Sequence, residues 1–252
     1  MKYDMTDSAQ RTTSSGMLAS PSFLQGSADA LFDAGLTDSS AWATFAQSWH
    51  DLLQDEYMAD RGKYRFRRYS EFCLDPARNT VSMLAHRPYR QSKEDNYLNG
   101  GIDRLYSPMR DDIRVNKAFR QALLSCANVI APLHPSAEWF VQVFQNRIFA
   151  KPDEPGKPTP EGVHRDGVDY VLTMMIKRHN VEGGESLVYE QDGRTLKASV
   201  TLKAPGDFIF LDDRLMKHSV QPIVRLSPAE DGYRDVLIAM FTHKARDGEV
   251  LE

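Results

Sequence analysis

The chain has 252 residues, 41% hydrophobic and 26% charged, with 31 Lys and Arg against 35 Asp and Glu for a formal net charge of −4. It is long enough to bury a substantial core, no apolar run approaches the roughly 18 residues of a membrane span, and the basic residues are scattered. These features argue against a stapled miniprotein, a helical membrane protein and a nucleic-acid groove. Cys73 and Cys126 lie far apart without CxxC spacing, which argues against a disulfide scaffold or structural zinc and suits a cytoplasmic protein.

Residues 1–22 are polar and Ser/Thr-rich, too poor in apolar surface to offset ordering entropy, and predict a disordered tail. The remainder, 23–252, reads as one domain, helical and mixed over 23–137 and β-rich over 138–243. From Ser27 to Leu53 the positions Leu31, Phe32, Trp42, Phe45, Trp49 and Leu52 recur at helical spacing around a break at Gly35, predicting two helices. A strand over 64–72 follows, then an irregular stretch ending in Asn99-Gly100-Gly101, then an amphipathic helix over roughly 114–130. Beyond it, short runs rich in Val, Ile, Phe, Tyr and Thr predict strands at 139–149, 167–177, 185–190, 196–203, 207–211, 218–224 and 234–242. That spacing implies a mainly β sandwich or barrel, with the N-terminal helices covering one sheet. The loop 151–162 carries Pro152, Pro155, Pro158 and Pro160 and has the length of a functional lid.

The chemistry concentrates in His164-Arg165-Asp166, with His218 some fifty residues later. Residues two apart on a strand share a face, so His164 and Asp166 can grip one ion there, whereas on a helix they diverge. Two imidazoles and a carboxylate on one face of an octahedron form the metal set of non-haem iron(II) oxygenases, leaving positions open for substrate and dioxygen. His50, His86, His134, His179 and His243 carry no such pattern and read as ordinary structural histidines. Arg234, sixteen residues beyond His218, opens the apolar run RDVLIAMF. A guanidinium there needs an anionic partner, and a dicarboxylate qualifies.

The stretches EGVHRDGVDYVLTMMIKRHNVEGGESLVYE, LKAPGDFIFLDDRLMKHSVQPI and YRDVLIAMF, with RFRRYSEF and YRQSKEDNYLNGGIDRLYSP upstream, resemble the iron(II)/2-oxoglutarate-dependent dioxygenases, specifically the bacterial L-isoleucine 4-hydroxylase-like amino-acid hydroxylases. The resemblance spans about residues 64–243. It implies a double-stranded β-helix, the jelly roll of cupin-like proteins, with flanking helices. It matches His164, Asp166 and His218 to the iron ligands and Arg234 to the arginine on the distal carboxylate of 2-oxoglutarate. Many relatives place a serine two residues after that arginine; here the position is Val236. The implied cofactor set is Fe(II), 2-oxoglutarate as cosubstrate, and O2.

A free amino acid brings a carboxylate and an ammonium, so an arginine fork and an acidic or carbonyl partner are expected. Arg65, Arg67 and Tyr69 alternate onto one strand face, and Arg104 follows Gly100-Gly101; Arg147 is a further candidate. An ordinary solvated strand face is the alternative for Arg65 and Arg67. Asp212 and Asp213, ahead of His218, are candidates to orient a ligand, and Val168, Tyr170, Leu172 and the proline-rich loop to exclude water. The expected activity is hydroxylation of a free aliphatic L-amino acid of the isoleucine, leucine or methionine kind, with release of succinate and CO2. The partner is then a small molecule rather than nucleic acid or membrane, and a homodimer is compatible with the sequence. The same chemistry on a modified amino acid, peptide or other metabolite, and a cupin-like metal-binding protein without 2-oxoglutarate turnover, are the alternatives.

Overall fold

Strands form where β-branched and aromatic residues dominate, and the alternation of their side chains divides the protein into two cores of different character. The computed structural model describes residues 22–244 other than 95, 99, 136 and 153. In chain order its elements are β1 (Phe23–Gly26), α1 (Ser40–Gln47), β2 (Leu53–Gln54), β3 (Arg65–Asp75), β4 (Thr80–Met83), α2 (Asp111–Arg114), α3 (Lys117–Ile130), β5 (Trp139–Ala150), β6 (Tyr170–His179), β7 (Val181–Gly183), β8 (Ser186–Glu190), β9 (Leu196–Val200), β10 (Phe208–Asp212), β11 (Met216–Val220), β12 (Ile223–Arg225) and β13 (Gly232–His243). A large antiparallel sheet runs β1-β10-β6-β13-β5-β3-β2, with β4 added beside β3; β11-β8-β9 and β12-β7 form two smaller sheets.

One face of the large sheet is predominantly apolar. Phe72, Val141, Val143, Leu172, Met174, Phe210, Leu237 and Phe241 pack there against Phe45, Trp49, Phe119 and Leu123 from the N-terminal helical half. Phe45, Trp49 and Phe119 are completely buried, and each such side chain contributes about 1.5–3 kcal/mol. The helices thus cover one sheet face, as the sequence predicts. On the opposite face, residues of reversed parity point inward: Tyr69, Phe144, Val171, Met175, Ile209, Val236 and Met240. That second core is interrupted by polar side chains, and there the cavity lies.

Several elements differ from the sequence expectations. The first predicted helix is only a 3-10 turn at Ala28–Ala30, since Gly35, at φ +77°, ends a segment too short to sustain an α-helix. α1 starts where Ser39 accepts the Trp42 N–H. The predicted 114–130 helix is broken at Asn116, whose side chain accepts the N–H groups of Ala118 and Phe119 and restarts the chain as α3. The 64–72 strand runs on to Asp75 and returns through Asn79, in the left-handed region, as β4. Gln221-Pro222 divides the predicted 218–224 strand into β11 and β12, consistent with the donor that proline lacks. β1, which pairs with β10, has no counterpart among the predicted strands. The predicted tail, up to residue 21, lies outside the described residues. Among the described residues no helix is long and apolar enough to cross a membrane.

Candidate active site

The metal-binding pattern comes from extended loop backbone rather than a regular strand. β6 begins only at Tyr170, so His164 and Asp166 precede the strand expected to carry them. His164 and His218, the latter in the middle of β11, exchange backbone hydrogen bonds of 3.0 and 2.8 Å. Asp213 supplies the other clamp: its carboxylate accepts the N–H groups of Asp166, Gly167 and Val168 at 3.0, 2.8 and 3.1 Å. Asp213 therefore orients the aspartate segment, whereas Asp212 turns away to Arg214.

These clamps bring one ligand atom each from His164, Asp166 and His218 within 4.8 Å of one another. The Nε2 atoms of His164 and His218 lie 3.8 and 3.6 Å from the two Asp166 carboxylate oxygens. Nδ1 of His164 faces the Gly162 carbonyl at 2.9 Å; with the proton placed there, Nε2 is left as a metal donor. Burial opposes charge on His164, but the Asp166 and Glu161 carboxylates outweigh it and raise its pKa. Burial, reinforced by His164, pushes His218 well below the usual histidine range. Two imidazole nitrogens and a carboxylate facing one point fit a ferrous ion with coordination positions to spare.

The triad borders a cavity that also reaches Arg65, Arg67, Tyr89, Asn96, Arg104, Asn146, Glu161 and Arg234. Strand register explains the grouping. Arg65, Ile148 and Arg234 are direct neighbours across β3, β5 and β13, so the two arginines stand about 10 Å apart on the same face. The next row is Arg67, Asn146 and Val236. Arg234 is 1% exposed, and its Nε and one terminal nitrogen have no partner. Burial and the nearby Arg178 charge pull its pKa down to about 9, which leaves it charged at neutral pH.

Arg178 reaches this position through a β-bulge. Val236 pairs with Met175 and Asp235 with Lys177, so Ile176 is an extra residue and the parity of β6 reverses after it. Arg178 consequently lies opposite Arg234, holds the Val181 and Gly183 carbonyls with one terminal nitrogen, and leaves the other buried and unpartnered. A Cβ on Gly184 would come within 2.8 Å of the Ile223 side chain, 3.1 Å of that nitrogen and 3.4 Å of Arg234 Cδ, so glycine lets the backbone pass close to both arginine side chains.

At the other end Arg65 and Arg67, 4% and 7% exposed, share buried Asp55 at 2.8 and 3.2 Å, which removes the solvated-face alternative. Burial opposes charge on Asp55, but Arg67 and Arg65 outweigh it and hold the carboxyl below its usual range. Arg67 stacks on Phe144 and Arg104 on Tyr89. One terminal nitrogen of Arg65 and two nitrogens of Arg104 remain buried without hydrogen-bond partners. Two other candidates stand apart from this group. Tyr69 is packed behind the cavity, donating to Glu71 and accepting from Gln142. Arg147 points to the opposite sheet face, in a two-pronged 2.7 Å pair with Asp235. Tyr170 and Leu172 likewise belong to the helix-covered core, while Val168 packs on the cavity side.

The proline-rich segment roofs the cavity through Pro158, Thr159 and Glu161. It is fastened by reciprocal Gly156–Ile223 backbone bonds and by Thr159 bonding to both backbone groups of Val220. Gln91 ties the upstream irregular stretch to the Asp166 carbonyl. Arg178, Glu161 and Asn146 are the residues absent from the sequence reading. Only Glu161, three positions before His164, carries a local signal.

Known proteins match this arrangement across most of the chain. The model of the 2OG-Fe dioxygenase family matches residues 46–240. The 3(1)-hydroxy-L-isoleucine 4-dioxygenase of Pantoea ananatis is 26% identical over 200 residues, covering 77% of this chain and 78% of its own. The L-isoleucine-4-hydroxylase of Bacillus thuringiensis is 24% identical over 200 residues, covering 78% and 80%. Among solved structures, a bsmA homolog from Methylobium petroleophilum PM1 superposes with a TM-score of 0.80 at 28% identity, covering 90% of each chain. IDO from Bacillus thuringiensis gives 0.72 at 18% identity, covering 90% and 92%.

Proposed function

The chain belongs to the 2OG-Fe dioxygenase family, jelly-roll enzymes that use iron(II), 2-oxoglutarate and dioxygen, and from that premise we propose that it hydroxylates a free aliphatic L-amino acid with release of succinate and CO2. The observation that carries this reading is the pair of cationic poles in one cavity. Each has buried guanidinium nitrogens without partners, so each suits a carboxylate. The strands that carry the two poles stand about 10 Å apart by register, which suits two different ligands flanking the triad. The relatives whose names specify isoleucine or hydroxyisoleucine support the substrate class.

His164, Asp166 and His218 hold iron(II) in this reading. Arg234 and Arg178 receive the distal carboxylate of 2-oxoglutarate, with Arg178 supplying the contact that Val236 lacks. Iron with 2-oxoglutarate and dioxygen supplies the oxidising power to replace an unactivated C–H bond by C–OH as the oxo acid loses CO2. The protein's share is orientation and exclusion of water. Arg65, Arg67 and Arg104 fix the substrate carboxylate, and Phe144, Ile238 and Met240 give its aliphatic side chain an apolar wall. Asp213 holds the aspartate ligand in place throughout. The test is a mass-spectrometric screen of free amino acids under air with iron(II) and 2-oxoglutarate. A gain of one oxygen on an aliphatic amino acid, matched one-to-one by succinate, is expected; oxidation of only N-acylated or peptide-bound substrates refutes the free-amino-acid reading.

A further inference from the structure

The cavity contains buried acceptors without partners as well as donors. The Glu161 side chain is 9% exposed; Oε1 lies 3.5 Å from His164 Nε2, and Oε2 is buried with no hydrogen-bond partner. Asn146 Oδ1 is likewise buried and unpartnered, one register row from Arg65 and directly beside Arg67. Glu161 shares the cavity with Arg65 and Arg67, yet its ion pair among the described residues is with His164. Glu161 lines the cavity, and its Oε2 is left for a donor that the described residues do not supply. A buried carboxylate oxygen without a hydrogen-bond partner is costly.

We propose that Glu161, assisted by Asn146, binds the ammonium group of the substrate and so selects free α-amino acids over their N-acyl and 2-hydroxy counterparts. The proposal rests on the amino-acid reading above. An α-amino acid presents carboxylate and ammonium on one carbon, and the cavity presents unpartnered guanidinium donors and unpartnered acceptors side by side. A substrate with a carboxylate alone satisfies the arginines and leaves Glu161 without a cation. An acylated nitrogen carries no charge and adds bulk against the roof segment. The backbone anchors Glu161 in place, because the turn it occupies is closed by the Gly162 N–H to Thr159 carbonyl bond, with Gly162 at φ +80°, and its own carbonyl accepts from Tyr97. The predicted lid thereby acquires a chemical role, reading the nitrogen of whatever lies beneath it.

The experiment compares wild type, Glu161→Gln and Glu161→Asp on the best free amino acid, its N-acetyl derivative and its 2-hydroxy analogue. KM values, iron content after gel filtration, and calorimetric binding of the amino acid to the zinc- and 2-oxoglutarate-loaded protein are measured. Loss of a charge-assisted bond predicts a rise of about ten- to a hundredfold in amino-acid KM and dissociation constant for Glu161→Gln. Iron content and KM for 2-oxoglutarate stay unchanged, the 2-hydroxy acid is not weakened, and Glu161→Asp recovers part of the loss. An unchanged amino-acid KM overturns the proposal. So does a parallel loss of iron, which would make Glu161 a positioning group for His164. If wild type oxidises no free amino acid at all, the underlying substrate reading fails first, and the ammonium assignment with it.

Discussion

Replacing Arg234 with Met removes a guanidinium that is 1% exposed and keeps much of its length, so the change isolates the charge. Two of its nitrogens have no protein partner, and a carboxylate between Arg234 and Arg178 would satisfy them. A hydrogen bond between charged groups contributes about 1.5–3 kcal/mol, which is on the order of ten- to a hundredfold in the dissociation constant of 2-oxoglutarate. Thermal melting reads this directly. Ligand at 100 times its dissociation constant stabilises by about 2.7 kcal/mol, and after a hundredfold weakening the same concentration gives about 0.4 kcal/mol. For a chain of this size the ligand-induced rise in Tm falls from roughly 5–10 °C to about 1 °C. The ligand-free protein should not melt lower at pH 7. Burial and Arg178 depress the Arg234 pKa from 12.5 to about 9, so its charge opposes folding at neutral pH and that penalty lifts only as pH rises through the window between those values. Arg234→Lys recovers part of the binding, because a point charge replaces the planar fork. Arg178→Gln weakens 2-oxoglutarate in the same direction. A full 2-oxoglutarate shift in Arg234→Met refutes the reasoning. So does an equal loss for a 2-oxo acid without a distal carboxylate.

His164→Ala, Asp166→Ala and His218→Ala should each abolish stoichiometric iron and turnover while circular dichroism stays native; near-normal activity in His218→Ala sinks the triad assignment. Because neighbouring carboxylates raise the His164 pKa above 6.5 and metal must displace that proton, apparent iron affinity should fall as pH drops through the raised value, about tenfold per unit below it. Titration with iron across pH checks this, and a flat profile contradicts it. Asp213→Asn loses the charge that three backbone N–H groups share and should weaken iron about 10–100-fold in a chelator competition. Asp55→Asn leaves Arg65 and Arg67 buried against a neutral amide and should cost about 3–5 kcal/mol in urea unfolding. In wild type the Asp55 contribution is complete above the ordinary carboxylate pKa of 3.8 and is lost as pH falls through the lowered one.

Much of the site is readable from residue parity. Arg65 and Arg67 share a face because they are two apart on β3, and Arg234 shares it with Val236 because β13 pairs with β5 without interruption. His164 and Asp166 are usable as a pair even though neither lies in a strand. Extended backbone is sufficient, and Asp213 with the His164–His218 bridge holds it extended. The helical half is less legible: Ser39 and Asn116 locate two helix starts, but the turn at Ala28–Ala30 takes its shape from packing under the sheet, which periodicity alone overreads as a helix.

What parity could not deliver is the second cation at the distal pole, and the reason is physical. A single inserted residue reverses every later side chain of a strand. On uninterrupted alternation Arg178 falls on the same face as Met174, in the helix-covered layer, where an unpaired guanidinium would be prohibitive. The bulge at Ile176 keeps that apolar residue in the same layer and turns Arg178 toward Arg234. Nothing in the string MMIKRH announces the insertion; it emerges from the pairing with β13. The two arginines are then cross-strand neighbours with unpartnered nitrogens, both beside Gly184, a repulsive arrangement in the protein alone and a favourable one around a carboxylate. If that charged donor from the neighbouring strand takes the place of a hydroxyl at Val236, cosubstrate binding should weaken in Arg178→Gln and stay unchanged in Val236→Ser.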